Sequence, residues 1–197
     1  MWQQAGGPEG WTLVRRVKPG YSWHPATDRL AGTDVYGTKP RTDASTSDET
    51  FSIAYSDADF NTMLFATGDE AIWLVCEKTA IGAPFTSDYY GNEQRTVVMS
   101  SDSPSAYTAR WYNRNGATED PWLSVTDHGN AISAGKILYG ENSFGSTHAS
   151  AILPVHNGAN VWIKALLSPP SPPVSPPPTS PPSMPPSTPP LSSMWQQ

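Results

Sequence analysis

The chain is poor in cysteine, in basic charge and in long apolar runs, and each shortage narrows what it does. Its single cysteine, Cys76, lies in the most apolar run, Ala71–Cys76. A buried, unreactive thiol is expected there, with an inter-repeat disulfide as the alternative. The net charge is −6. That argues against a nucleic-acid partner, because phosphate recognition needs a basic face. No apolar run approaches the length of a membrane span. Residues 1–20 lack the apolar core of a secretory signal. There is no N-x-Ser/Thr acceptor, so N-glycosylation is not expected. The four histidines, His24, His128, His148 and His156, show neither a helical metal-binding spacing nor an H-E-x-x-H pattern. Asp28 beside His24 and Asp127 beside His128 suggest parts of a triad, but no G-x-S-x-G elbow presents a serine to them. No catalytic residue and no cofactor are therefore expected.

What is present is repetition. Met1-Trp2-Gln3-Gln4 recurs as Met194-Trp195-Gln196-Gln197, 193 positions later. Internal self-similarity decides architecture before any single residue does. The chain reads as one full period of a tandem repeat plus the opening of the next, with a scar at the two ends as the bland alternative; on the first reading Met1 is not an initiator. In such an internal repeat a secretory signal lies elsewhere in the parent protein.

Within the period, composition divides sharply. Residues 1–167 hold 20 of the 21 aromatic residues and all 30 charged ones. That is long enough for one domain with a real core. Long helical periodicity is absent; short β-rich runs alternate with turn-forming clusters. Strands are predicted at 12–17, 50–55, 72–77, 94–100, 107–112, 122–126, 136–139 and 160–166. Segments 59–66 and 147–152 read as single helical turns or irregular strands. About eight strands in one domain point to an all-β antiparallel sandwich or jelly-roll-like fold. Trp73, Val75, Trp111 and Trp162 are expected in the core, while Trp2, Trp23, Tyr89 and Tyr90 in loops are candidates for exposure. The basic cluster Arg15, Arg16 and Lys18, set among Leu13, Val14 and Val17, reads as an ordinary solvated strand face. The long polar loop from His24 to Asp48 is either functional or intimately packed.

Asp57-x-Asp59-x-Asn61 begins like a calcium loop. Thr62 stands where an EF-hand needs glycine, and Gly68 where it needs glutamate. It is not an EF-hand, and only a looser site including Asp69 and Glu70 remains; the ordinary alternative is a polar turn.

From Ser168 to Ser193 there is neither charge nor an aromatic ring, and 13 of the chain's 21 prolines fall there. Little but Val174, Met184 and Leu191 is apolar, so this stretch cannot build a core. Proline fixes φ, lacks an N–H, and forces its predecessor into extended angles. A polyproline II spacer of roughly 80 Å is expected at about 3.1 Å per residue. The domain boundaries are thus 1–167, 168–193 and 194–197.

The Ser-Pro-Pro and Ser-Pro-Pro-Pro runs of the tail resemble hydroxyproline-rich glycoproteins of green-algal and plant walls and flagellar surfaces. That resemblance implies hydroxylation and short O-linked sugars. The candidate positions are Pro169, Pro170, Pro172, Pro173, Pro176, Pro177, Pro178, Pro181, Pro182, Pro185, Pro186, Pro189 and Pro190, with Ser171, Ser175 and Thr179. Signalling ligands are also proline-rich, but they usually carry flanking Arg or Lys, which the tail lacks. The runs Trp11-Thr12-Leu13-Val14-Arg15-Arg16-Val17, Trp23-His24-Pro25-Ala26-Thr27-Asp28 and Leu64-Phe65-Ala66-Thr67-Gly68-Asp69 resemble a module repeated in large secreted proteins of unicellular algae, some described as fibrinogen-like. Asp120-Pro121-Trp122 and His156-Asn157-Gly158-Ala159-Asn160-Val161 extend the resemblance over most of residues 11–164. It implies an extracellular setting and brings no catalytic residues.

Together these readings predict a structural repeat of an extracellular, O-glycosylated, filament-forming glycoprotein that self-associates. Trp2, Met194 and Trp195 are its expected assembly anchors. The alternative is a carbohydrate-binding module displayed on a glycosylated stalk.

Overall fold

A computed structural model of the chain describes residues 9–19, 26–56, 58, 60–82, 91–113, 120–126, 137–139 and 157–165. All fall in one compact unit, Met1–Leu166. The tail positions from Pro169 to Pro190, the anchors Trp2, Met194 and Trp195, and Asp57, Asp59, Trp23, Tyr89, Tyr90, segment 147–152 and the four histidines lie outside the described residues.

The regular secondary structure of the described residues is almost wholly β. The strands are β1 (Trp11–Val17), β2 (Phe51–Ser52), β3 (Phe60–Thr67), β4 (Trp73–Glu77), β5 (Gly91–Val97), β6 (Met99–Ser100), β7 (Tyr107–Asn113), β8 (Leu123–Ser124), β9 (Ile137–Tyr139) and β10 (Ala159–Ala165). One short helix, α1 (Lys78–Gly82), follows β4. Six strands form an antiparallel sheet in the order β2-β1-β10-β3-β4-β6, and β5–β7 and β8–β9 form two-stranded antiparallel ladders.

Of segment 59–66, read as a helical turn or irregular strand, residues 60–66 belong to the interior strand β3. Its residues Met63-Leu64-Phe65-Ala66 are all buried. A strand covered on both faces shows no alternation, so the two-residue period that marks a half-solvated strand is missing. The predicted strand 94–100 is divided between β5 and β6.

Cross-strand register sorts the core into two layers. Leu13, Trp162, Leu64 and Val75 are successive partners across β1, β10, β3 and β4. With Phe51 they form one apolar cluster. Neighbouring rows, Val161-Phe65-Leu74 and Ile163-Met63-Cys76, belong to the other cluster. That larger cluster also contains Val97 of β5, Ala109 and Trp111 of β7, Leu123 of β8 and Tyr139 of β9. Trp111 is fully buried, and its indole N–H donates to the Ser124 carbonyl at 3.0 Å. Burying such a ring removes roughly 200 Å² from water, or about 5 kcal/mol before ordering costs. Trp162 and Val75 are buried as expected, while Trp73 is half-buried. Cys76 is a free, fully buried thiol, and burial pushes its pKa up.

One irregularity in β1 shapes the rest. Leu13 pairs with Trp162, but Arg15 pairs with Val161, so Val14 is an extra residue on that strand. Without this bulge, Leu13 and Arg15 would share a face. With it, Arg15 points to the face of Val161 and Phe65, and Arg16 to the face of Asn160. Both faces are covered, so Arg15 and Arg16 are each fully buried. The expectation of a solvated basic face is therefore wrong for these two residues. Lys18, the third of the group, is only half-buried.

Candidate functional site

Arg15 is the centre of a sealed ion cluster. Its Nε donates to Ser52 Oγ at 2.9 Å, and its Nη1 to Asp120 Oδ2 at 2.5 Å. Its Nη2 lies 2.7 Å from both carboxylate oxygens of Asp28. The ring of Tyr55 lies under the guanidinium, 5.6 Å from its carbon. Arg15 and Asp120 are wholly inaccessible and the Asp28 side chain is 5% exposed. Each carboxylate is also held from elsewhere. Asp28 accepts the N–H groups of Thr33 at 2.7 Å and Asp34 at 2.9 Å. Asp120 accepts the Leu30 N–H at 2.7 Å and the Tyr139 hydroxyl at 2.6 Å.

Asp28 and Leu30 of the long loop 26–48 are thus packed inward. Arg29 and Leu30 adopt positive φ, 54° and 62°. This conformation is costly for residues with a β-carbon. Here both backbone groups of Leu30 are held, its N–H by Asp120 and its carbonyl by the Tyr55 hydroxyl at 2.9 Å. Asp28, which sequence alone could pair with His24, is committed to Arg15 and to its own loop.

Burial alone would lower the Arg15 pKa, but the acidic groups and phenols around it raise it on balance. For Asp28 burial works upward, yet Arg15 and the loop N–H groups hold the carboxyl below its ordinary value. Burial pushes Tyr36, Tyr55 and Tyr139 well up. The pH dependence follows. A depressed carboxyl contributes stability that is present above its ordinary value of 3.8 and lost as pH falls through the folded value. A raised phenol contributes stability present below its ordinary 10.0 and lost above it, because only the unfolded chain then releases the proton. Arg16, lowered by burial to about 10, acts in the opposite sense there. Half-buried Lys39, also lowered by burial, acts as Arg16 does, and the raised Tyr107 phenol and Cys76 thiol act with the three phenols, which together outweigh the two cations. The urea midpoint is expected to be flat near neutrality and to fall above pH 10 and below about pH 4. A midpoint that rises between pH 9 and 11 would contradict this account.

Arg16 does different work on the opposite face. Its Nε donates to the Ser47 carbonyl at 2.7 Å, and its Nη1 to the Ser45 carbonyl at 2.5 Å and Asn160 Oδ1 at 2.9 Å. Its Nη2 donates to the Asn157 carbonyl at 2.9 Å. Asn160 Nδ2 also donates to the Ser45 carbonyl, at 2.9 Å. Two loops are thereby tied to β1. Gly68 seals the same corner: its N–H donates to the Gly158 carbonyl at 2.8 Å, and a β-carbon there would stand 1.8 Å from the Asn157 carbonyl oxygen.

The loop that Arg16 pins forms one wall of an open cleft of about 440 Å³. Trp11, Thr12, Leu13 and Trp162 form the sheet side, and residues 39–45 the loop side. Lys39 Nζ donates to the Leu13 carbonyl at 2.8 Å, closing one end. Lys164 Nζ lies 5.8 Å from the centre of the Trp11 ring at the rim. A second cleft, of about 570 Å³, is lined by Glu77, Thr79, Ala80, Gln94, Arg95, Thr96, Val98 and Ala106, with no aromatic ring among its described lining residues.

Of the calcium candidates, Asn61 is exposed near the start of β3 and accepts the Thr62 hydroxyl. Asp69 accepts the Thr67 hydroxyl at 2.6 Å beyond the other end of β3. Six positions along a strand span roughly 20 Å, so Asn61 and Asp69 do not converge. Among the described residues no three His, Cys, Asp or Glu side chains are grouped to hold a metal ion.

Sequence reasoning missed Arg15, Asp120, Trp11 and the 39–45 wall as parts of a site. One signal was present. Arg15 and Arg16 are adjacent on a strand, so they point to opposite faces and both cannot lie on one solvated side. Compared with protein families, curated proteins and solved structures, the chain finds no match.

Proposed function

We propose that this chain is one repeat of an extracellular, O-glycosylated glycoprotein that assembles into filaments. Its bead, residues 1–167, is an antiparallel sandwich or jelly-roll-like domain. Residues 168–193 are a polyproline II spacer, hydroxylated and glycosylated on the candidates from Pro169 to Pro190, and 194–197 open the next bead. The observation that carries the reading is the recurrence of Met-Trp-Gln-Gln across a charge-free Pro/Ser tail. The interior of the bead supports it. The most chemistry-like cluster, Arg15 with Asp28 and Asp120, is shut away from solvent and ties β1, the loop at Asp28, β2, Asp120 and β9 together. Among the described residues no helix is long and apolar enough to cross a membrane.

Negative-stain imaging of native material tests this reading, with glycopeptide masses for residues 168–193. Regular filaments and a sugar-bearing tail are expected. Featureless monomers with an unmodified tail would overturn it. The second reading, a carbohydrate-binding module on a stalk, is favoured by the Trp11–Trp162 cleft alone.

A further inference from the structure

We infer that the cleft between the Trp11 end of the main sheet and residues 39–45 is a binding site for an acidic saccharide, a glycan bearing uronic-acid carboxylates. This rests on the carbohydrate-binding reading and gives it a place and a ligand class.

Three observations lead there. The volume, about 440 Å³, falls in the range of ligand clefts, roughly 300–1,000 Å³. The lining is amphipathic in the way a sugar is: half-buried Trp11 and Pro40 offer apolar surface over buried Leu13, and the Thr12 and Thr42 hydroxyls and the Asp43 carboxylate offer hydrogen-bonding groups. The charge is inverted relative to the chain. Lys39 and Arg41 line the cleft and Lys164 stands at its rim, against one acid, Asp43, in a protein of net charge −6. Arg41 is exposed and makes no ion pair with any described residue. Its planar fork matches a carboxylate. Asp43 suits the hydroxyl donors of a sugar ring.

The cleft is also built in advance. Its loop wall is fixed by Arg16 and Asn160 on the Ser45 carbonyl and by Lys39 on the Leu13 carbonyl. A wall held by buried donors loses little entropy when a ligand arrives. The described lining of the second cleft holds no ring to serve as an apolar platform.

Calorimetric titration of the full chain with a galacturonic-acid tetrasaccharide, and with the neutral galactose tetrasaccharide, tests the site. The acidic ligand is expected to bind about tenfold or more tightly than the neutral one, the equivalent of one charge-assisted hydrogen bond. Arg41→Gln is expected to erase most of that preference. Trp11→Ala is expected to weaken both ligands by about tenfold, with thermal unfolding confirming that it folds. Arg41 is exposed, so its variant is the safer arm. Acidic binding that neither variant changes would sink this site while leaving the carbohydrate-binding reading standing. Equal affinity for the two ligands overturns the acidic assignment, and no binding of either overturns both.

Discussion

Asp120→Ala is expected to lower the unfolding free energy by about 3–5 kcal/mol, the usual cost of stranding one partner of a buried ion pair. Three donors lose their acceptor together: Arg15 Nη1, the Leu30 N–H and the Tyr139 hydroxyl. None of them has solvent to turn to, since Arg15 is wholly buried and Leu30 and Tyr139 are 3% and 2% exposed. Against a total of about 5–15 kcal/mol, the loss removes a large share of stability. Urea titration followed by tryptophan fluorescence measures it. Asp120→Asn keeps the shape and an acceptor for Leu30 but not the charge, and falls between the two. Asp28→Ala is expected to cost less, because its loop lies nearer to water. Replacing Arg15, Asp28 and Asp120 together by apolar residues of similar volume should restore much of the loss, because desolvation offsets most of what a buried pair gains. A loss below about 1 kcal/mol in Asp120→Ala would mean that water enters and the cluster is not sealed.

The same cluster marks where sequence reading stops. Strand runs rich in β-branched and aromatic residues were legible: 12–17, 72–77, 107–112 and 160–166 each coincide with an observed strand to within a residue or so. Period-two alternation and turn residues are local properties, and local properties can be read from a window. β3 was not legible because both its faces are covered, which erases the alternation. The burial of Arg15 depends on one extra residue in β1 and on a carboxylate 105 positions away. Neither leaves a mark within a window of ten residues. The described part of the long loop after Trp23 packs against the sheet at two places: Asp28 and Leu30 face the ion cluster, and residues 39–45 wall the cleft. What stayed hidden in each case is pairing across the chain.

Trp2→Ser is expected to shorten or abolish filaments while leaving bead stability unchanged. The sheet makes strand addition a poor route to a fibre. Its outer strands, β2 and β6, are two residues each, and Ser52 of β2 already pairs with Tyr36. Such short edges offer few free N–H and C=O groups to another chain. Side chains, or the seven-residue strands of the β5–β7 ladder, are left to supply contacts between beads. If the period is 193 residues, as proposed above, Trp2 and Trp195 are one position in successive beads. A free indole at the end of a solvated spacer gains nothing, whereas a docked one removes up to roughly 200 Å² from water and stabilises by several kcal/mol before ordering costs. Such a contact is head to tail, and a head-to-tail contact that does not close into a ring yields an open filament. Met99→Lys supplies the contrast. Met99 is 38% exposed on the edge strand β6, so a charge there blocks edge pairing with little cost to the bead. Filaments that survive Met99→Lys and fail in Trp2→Ser would place the contact at the tryptophan. The reverse pattern would move it to the sheet edge, and the polyproline rod would then set the spacing of beads without an indole anchor to hold it.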